Sequence, residues 1–176
     1  MARAALALHH GLIRLYTACG VVGAVFLALI GVLVAASILA RLADFYFPGL
    51  SRYTGYAMAA ASFFALAHTF HTRGHIRVAM LLNALGPGRR KIAEIWCHLA
   101  AAAVAVFLAF YLTRMTWVSY RLGDVSDGAD ATALWIPQVA VAAGSIVLAV
   151  CVLHHLVLTV LRPASAFARP VGGPEV

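Results

Sequence analysis

The sequence predicts an all-α integral membrane protein. It has four transmembrane helices, both termini in the cytoplasm, and a basic cytoplasmic loop between the second and third helices. Three observations carry this reading. Hydrophobic residues fill 64% of the 176 positions and charged residues only 11%, against roughly 25% charged in a soluble domain, so most side chains cannot face water. Four long stretches contain no Asp, Glu, Lys or Arg, and the cations are shared unevenly between the segments that join them. No joining segment approaches the ~50 residues an independent soluble domain needs, so residues 1–176 form a single membrane domain.

The first 14 residues hold Arg3, His9, His10 and Arg14. Residues 15–40 follow without a formal charge. A signal peptide has an apolar core of only ~7–15 residues, whereas this stretch can cross ~30 Å of hydrocarbon with some tilt. It is an uncleaved first span. Residues 41–53 form a short connection crowded with Phe45, Tyr46, Phe47 and Tyr53, rings that favour the headgroup level. Pro48-Gly49 breaks any helix there. The second span is 54–72.

The stretch from His68 to Glu94 organises the chain. It carries five of the thirteen Lys and Arg residues: Arg73, Arg77, Arg89, Arg90 and Lys91. Gly86-Pro87-Gly88 divides it, since Pro lacks a donor and Gly tolerates turn angles. Arg89-Arg90-Lys91 then open a helix at the end where the macrodipole disfavours cations. Positive-inside orientation and lipid phosphates offset that cost. Glu94, three residues after Lys91, offers a weak helix pair. The third span is 95–113, and residues 114–130 form a polar loop with Arg121, Asp124, Asp127 and Asp130. The fourth span is 134–161, with Trp135 at the interface and Pro137 in the first turn. Arg162-Pro163 ends it, and 162–176 is a loose tail.

With four spans, the termini and the basic loop share one side of the bilayer. That side holds nine Lys and Arg residues, the other holds Arg41, Arg52, Arg114 and Arg121, and four of the six acidic residues lie with those four. The asymmetry places both termini in the cytoplasm. The net charge of +7 reflects orientation and anionic lipid, not nucleic acid.

Each span carries small residues four apart: Gly20, Ala24 and Ala28; Ala57, Ala61 and Ala65; Ala101, Ala105 and Ala109; Ala140 and Gly144. Such stripes let helix backbones approach where lipid supplies no hydrophobic drive. The span cores hold no ionisable Asp, Glu, Lys or Arg, unlike a pump or transporter path, and no broken helix at mid-depth. The chain therefore does not carry a solute pathway alone. His68, His71, His98, His154 and His155 fall near the cytoplasmic span ends. They read as interfacial anchors. A haem between His68 or His71 and His98 or His154 is the alternative, and a metal on His68, His71 and His75 a weaker one. Cys19, Cys97 and Cys151 share no metal-ligand spacing and read as small buried apolar side chains. No nucleophile–base arrangement, phosphate loop or carboxylate pair is visible, so no enzyme, cofactor or metal is expected.

Two places carry a resemblance. One is Arg73-Gly74-His75-Ile76-Arg77-Val78, followed by Met80-Leu81-Leu82 and the basic turn. The other is Leu134-Trp135-Ile136-Pro137 with Gly144 beyond. In this order and spacing the chain resembles the DctQ-like small membrane subunits of tripartite ATP-independent periplasmic (TRAP) transporters. Ala79 stands where that family often has an acidic residue, and Tyr53-Thr54-Gly55-Tyr56 where another is common. The resemblance implies a non-catalytic small permease subunit of the bacterial inner membrane, scaffolding a large membrane subunit for uptake of an organic acid anion delivered by a periplasmic binding protein. An accessory subunit of a different complex, haem-binding or not, is the alternative. Arg73, His75, Arg77, Arg89, Arg90 and Lys91 would form the cytoplasmic anchor, meeting lipid phosphates or partner carboxylates. Asp124, Asp127 and Asp130 would form the periplasmic docking surface.

Overall fold

Residues 2–45, 49–72, 85–127 and 131–163 are described by a computed structural model, with 2–8 described as backbone alone. Among the described residues four helices run in chain order: α1 (Ala2–Leu42), α2 (Leu50–His71), α3 (Pro87–Leu122) and α4 (Trp135–Leu161). The described residues contain no strand, only an isolated antiparallel bridge between Val125 and Ala133.

Three of the helices are long and apolar enough to cross a membrane: α1 from His9, α3 and α4. The exception is α2, which carries Arg52, Thr54, Ser62, His68, Thr69 and His71. Its packing accounts for that polarity. Helix α1 packs on α2, α2 on α4, and α4 on α3, while α1 meets α4 only lightly and shares no backbone contact with α3. The order in space is α1–α2–α4–α3, a layer one helix thick. Covered on both sides, α2 exposes only Ser62 between Ala59 and His71. The outer helices keep broad apolar faces open, with Val21, Val25, Leu27 and Val32 on α1 and Val104, Phe107 and Phe110 on α3.

Three helices are longer than the charge-free stretches, α2 by starting at Leu50, ahead of residue 54. Helix α1 starts at Ala2, ahead of residue 15, and α3 runs through 114–122, which the sequence suggested as loop. At 1.5 Å per residue α3 is ~54 Å long, well beyond ~30 Å of hydrocarbon. Charge alone does not end a helix; a stop signal does. For α3 the stop is Gly123, at φ +67°, with Asp124 N–H donating to Ser119 O at 3.0 Å, the six-to-one bond of a Schellman cap. Helix α1 ends in the same motif on Asp44 (φ +52°), where Phe45 N–H reaches Ala40 O at 2.8 Å. At the other turns Pro87 opens α3, and Arg162, extended before Pro163, closes α4.

Small residues decide the contacts. At Gly144 an added Cβ would lie 2.9 Å from the Phe63 carbonyl carbon and Cβ, so α4 and α2 touch backbone to backbone there. At Gly20 it would meet the His68 ring at 2.7 Å. Ala24 and Ala28 are exposed instead. Gly23 makes the second α1–α2 approach, 3.2 Å from Ala61 O and Ala65 N. Between α3 and α4, Ala102 and Ala105 pack on Ala149 and Val152, flanked by Ala101 and Ala109. Tyr16, Ala67 and Cys151 form a second core across α1, α2 and α4. Cys19 and Cys151 are buried, but Cys97 is exposed on the open side of α3, contrary to the expectation of burial. Hydroxyls within the helices turn inward on their own backbones: Thr17, Ser62, Thr69, Thr113 and Thr159 each donate to the carbonyl four residues back. A hydroxyl in hydrocarbon needs such a partner.

Gly144→Leu should lower the melting temperature of the detergent-purified chain through a loss of ~1–3 kcal/mol, the usual cost of overpacking. Gly31→Leu, where nothing lies within 4 Å of the added Cβ, should leave it unchanged or slightly raised.

Candidate functional site

The helices bring their chemistry together at two ends. One end gathers the start of α1, the end of α2, the start of α3 and the end of α4. Histidines from all four helices meet here. His9 Nδ1 and His154 Nε2 share a hydrogen bond at 3.2 Å. The other nitrogen of His154, Nδ1, lies 3.2 Å from Tyr16 Oη. His71 Nδ1 and His155 Nε2 share another at 3.2 Å. His98 Nδ1 donates to Glu94 O at 2.7 Å. Phe70 stands edge-on to both His98 and His155, at 6.0 and 5.6 Å between centroids. A cavity of about 220 Å³ opens among His9, His71, Glu94, His98, His155 and Arg162. It is smaller than the 300–1,000 Å³ of a typical small-molecule site.

Of the rings considered for a haem, three are engaged with other rings or with backbone, while His68 Nδ1 is buried with no hydrogen-bond partner among the described residues. His71 pairs with His155, His154 with His9 and Tyr16, and His68 rests on Gly20. Among the described residues no group of three or more His, Cys, Asp or Glu side chains is placed to hold a metal ion.

The start of α3 also departs from expectation. Glu94 pairs with Arg90, not Lys91, at 3.3 Å and four residues' spacing, and both side chains are nearly enclosed. A full turn aligns i with i+4 on one face. Arg89 is exposed and Lys91 half-buried. So the three cations face three different surroundings. Arg73, His75 and Arg77 lie outside the described residues.

At the opposite end, the segment joining α3 to α4 folds into a small hairpin. Ser126 N–H donates to Thr132 O at 2.8 Å and Leu134 N–H to Asp124 O at 3.0 Å. The start of α2 pins it. Arg52 donates to Ser126 Oγ, as does Tyr56 at 3.4 Å, and Tyr53 bonds Thr132 Oγ1 at 2.9 Å. Ser126 is buried by these contacts. Asp124 is half-buried beneath the turn, Asp127 is exposed, and Asp130 lies outside the described residues. Aromatic rings band this end: Tyr120 stands edge-on to Trp135 at 5.6 Å, and the Arg121 guanidinium lies 5.2 Å from the Trp117 ring. This is the interfacial belt expected of a membrane protein.

Sequence reasoning placed the histidines at one depth but could not pair them, because depth follows from position along a span and pairing from helix rotation. It did not single out Tyr16, and it counted Arg52 only among the four outer cations. The spacing of His9 and Tyr16, seven apart on one face of a helix, was the one available signal for the first. Arg52 showed none.

Arg90→Ala should lower thermal stability in detergent by about 1–3 kcal/mol, the cost of leaving the enclosed Glu94 carboxylate without its partner. Arg90→Ala/Glu94→Ala should recover most of that loss. Additive losses would show that the pair is not coupled.

The family model described as tripartite ATP-independent periplasmic transporters, DctQ component, matches residues 29–162. Comparisons with curated proteins and with solved structures found no match.

Proposed function

The chain belongs to the DctQ component family of tripartite ATP-independent periplasmic transporters, and from that premise we propose that this small permease subunit is a non-catalytic scaffold for the large membrane subunit. The single observation that supports a scaffold best is the open layer of helices. A layer one helix thick leaves broad apolar faces on α1 and α3 open to lipid or to the helices of a partner. Small residues exposed among the described residues, Ala24 and Ala28 among them, suit close helix contact in lipid. The span cores hold no Asp, Glu, Lys or Arg, so substrate and ion sites belong to the partner. A tripartite transporter comprises that large subunit and a periplasmic binding protein, and the cargo we propose is an organic acid anion.

In the same reading the chain is one membrane domain that crosses the bacterial inner membrane four times with both termini in the cytoplasm. The uneven cations, nine against four, support this orientation. The fourth crossing is α2: too polar to face lipid along its whole length, it is sheathed by α1 and α4. Arg73, His75, Arg77, Arg89, Arg90 and Lys91 then lie where anionic headgroups and partner carboxylates are found. The exposed Asp127, with Asp124 and Asp130, lies where the binding protein docks.

Affinity purification of the tagged chain from its native membrane should bring down a much larger multi-span protein in a defined ratio; recovery of the chain alone, under mild detergent, overturns the scaffold role. Neutralising Arg73, Arg77, Arg89 and Lys91 together, and leaving the enclosed Arg90 in place, should reduce complex yield or scramble topology in cysteine-accessibility mapping, since each juxtamembrane cation contributes ~1 kcal/mol at an anionic surface. Unchanged topology and yield would remove the anchor role.

A further inference from the structure

We infer that the paired histidines of α1, α2 and α4 form a proton-sensitive latch, one that holds the start of α1 against α4 near neutral pH and releases it in acid. The inference does not depend on the scaffold reading, because it concerns contacts within the chain.

The geometry sets the rule. In a hydrogen bond between two imidazoles one nitrogen donates and the other must accept. A pair with no added proton satisfies this, and so does a pair with one, in which a cationic ring donates to a neutral one. A second proton leaves N–H facing N–H at the 3.2 Å separation found in His9–His154 and His71–His155. The bond is then lost and two like charges meet. Stability from the latch is therefore present while each pair holds at most one extra proton, and it is lost as pH falls far enough to load both rings. Tyr16 does not prevent this. Its hydroxyl can donate to His154 Nδ1 or accept from it, so it serves either state of that ring but cannot relieve the clash at His9.

The surroundings do not cancel the charge. From α1 the cluster is faced by His9, His10 and Tyr16; from α2 by His68 and His71; from α3 by Arg90, Glu94 and His98; from α4 by Cys151, His154, His155 and Arg162. Glu94 is the one carboxylate among them, and Arg90 already pairs with it. Arg162 adds positive charge at the rim of the cavity.

The consequence falls unevenly on the helices. The seams of α2 and α4 with their neighbours are long, but α1 meets α4 only lightly, through His9 and Tyr16 with the core around Cys151. His9 and Tyr16 also precede the segment shared with the family, which begins at Leu29. Opening of the start of α1 is thus the least costly response.

Hydrogen exchange read by mass spectrometry on the full chain within its purified complex tests this. Rates are compared at about pH 7.5 and about pH 5, on either side of the ordinary histidine range, and corrected for intrinsic exchange. Amides from His9 to Tyr16 should open about tenfold more in acid, the change that one linked proton produces per pH unit, while those from Val104 to Phe110 should not change. In His9→Asn/His71→Asn, whose amides can fill the same hydrogen bonds but take no proton, the acid response should fall below about twofold. Should that variant fail to assemble, His154→Gln/His155→Gln is held to the same criterion. Equal protection of wild type at both pH values, equal opening of 104–110, or an undiminished response in the assembled variant would each overturn the latch.

Discussion

Everything in this layer depends on α2 lying in direct contact with α1 and α4. Lipid gives helices no hydrophobic reason to associate, so the seams must come from close van der Waals packing. Gly20, Gly23 and Gly144 supply it, because any side chain there would collide with the backbone or with the His68 ring of α2. Once α2 is sheathed on both sides, its serine, threonine and histidine groups need not meet lipid. The least apolar helix can then occupy the middle of a membrane layer.

The same wedge organises the two ends. At one end it carries His68, Phe70 and His71 into the space between α1, α3 and α4, where Phe70 packs in both hydrophobic cores. At the other it delivers Arg52, Tyr53 and Tyr56 beneath the hairpin, converting an acidic connection into an ordered cap. One 22-residue helix thereby links the polar chemistry of both ends of the layer. The outer helices α1 and α3, each covered on one side only, leave the surfaces that a larger partner or lipid must complete. This arrangement suits the small membrane subunit of a tripartite transporter.

Membrane class, the approximate spans of α1, α3 and α4, and the family were legible in the sequence. A charge-free stretch of twenty or more residues has few structural alternatives, and the Arg73–Val78 and Leu134–Pro137 motifs are local strings that need no folding to be recognised. Span ends were legible only where a breaker stood: Pro87 and Arg162-Pro163 marked their helices well. The charge at Arg114 misled, because a cation at the interface is compatible with helix and α3 continues to the glycine that can adopt φ +67°.

What the sequence determined by itself is that this chain lives in a membrane, that its small residues make helix seams, and that its histidines gather at one depth. The tertiary structure alone decided which small residues bear contact, that Glu94 serves Arg90, and that His9 meets His154 while His71 meets His155. The physical reason is rotation. Depth along a span is written in the linear order of residues, whereas the face a helix turns to its neighbour depends on the packing of every other helix in the layer.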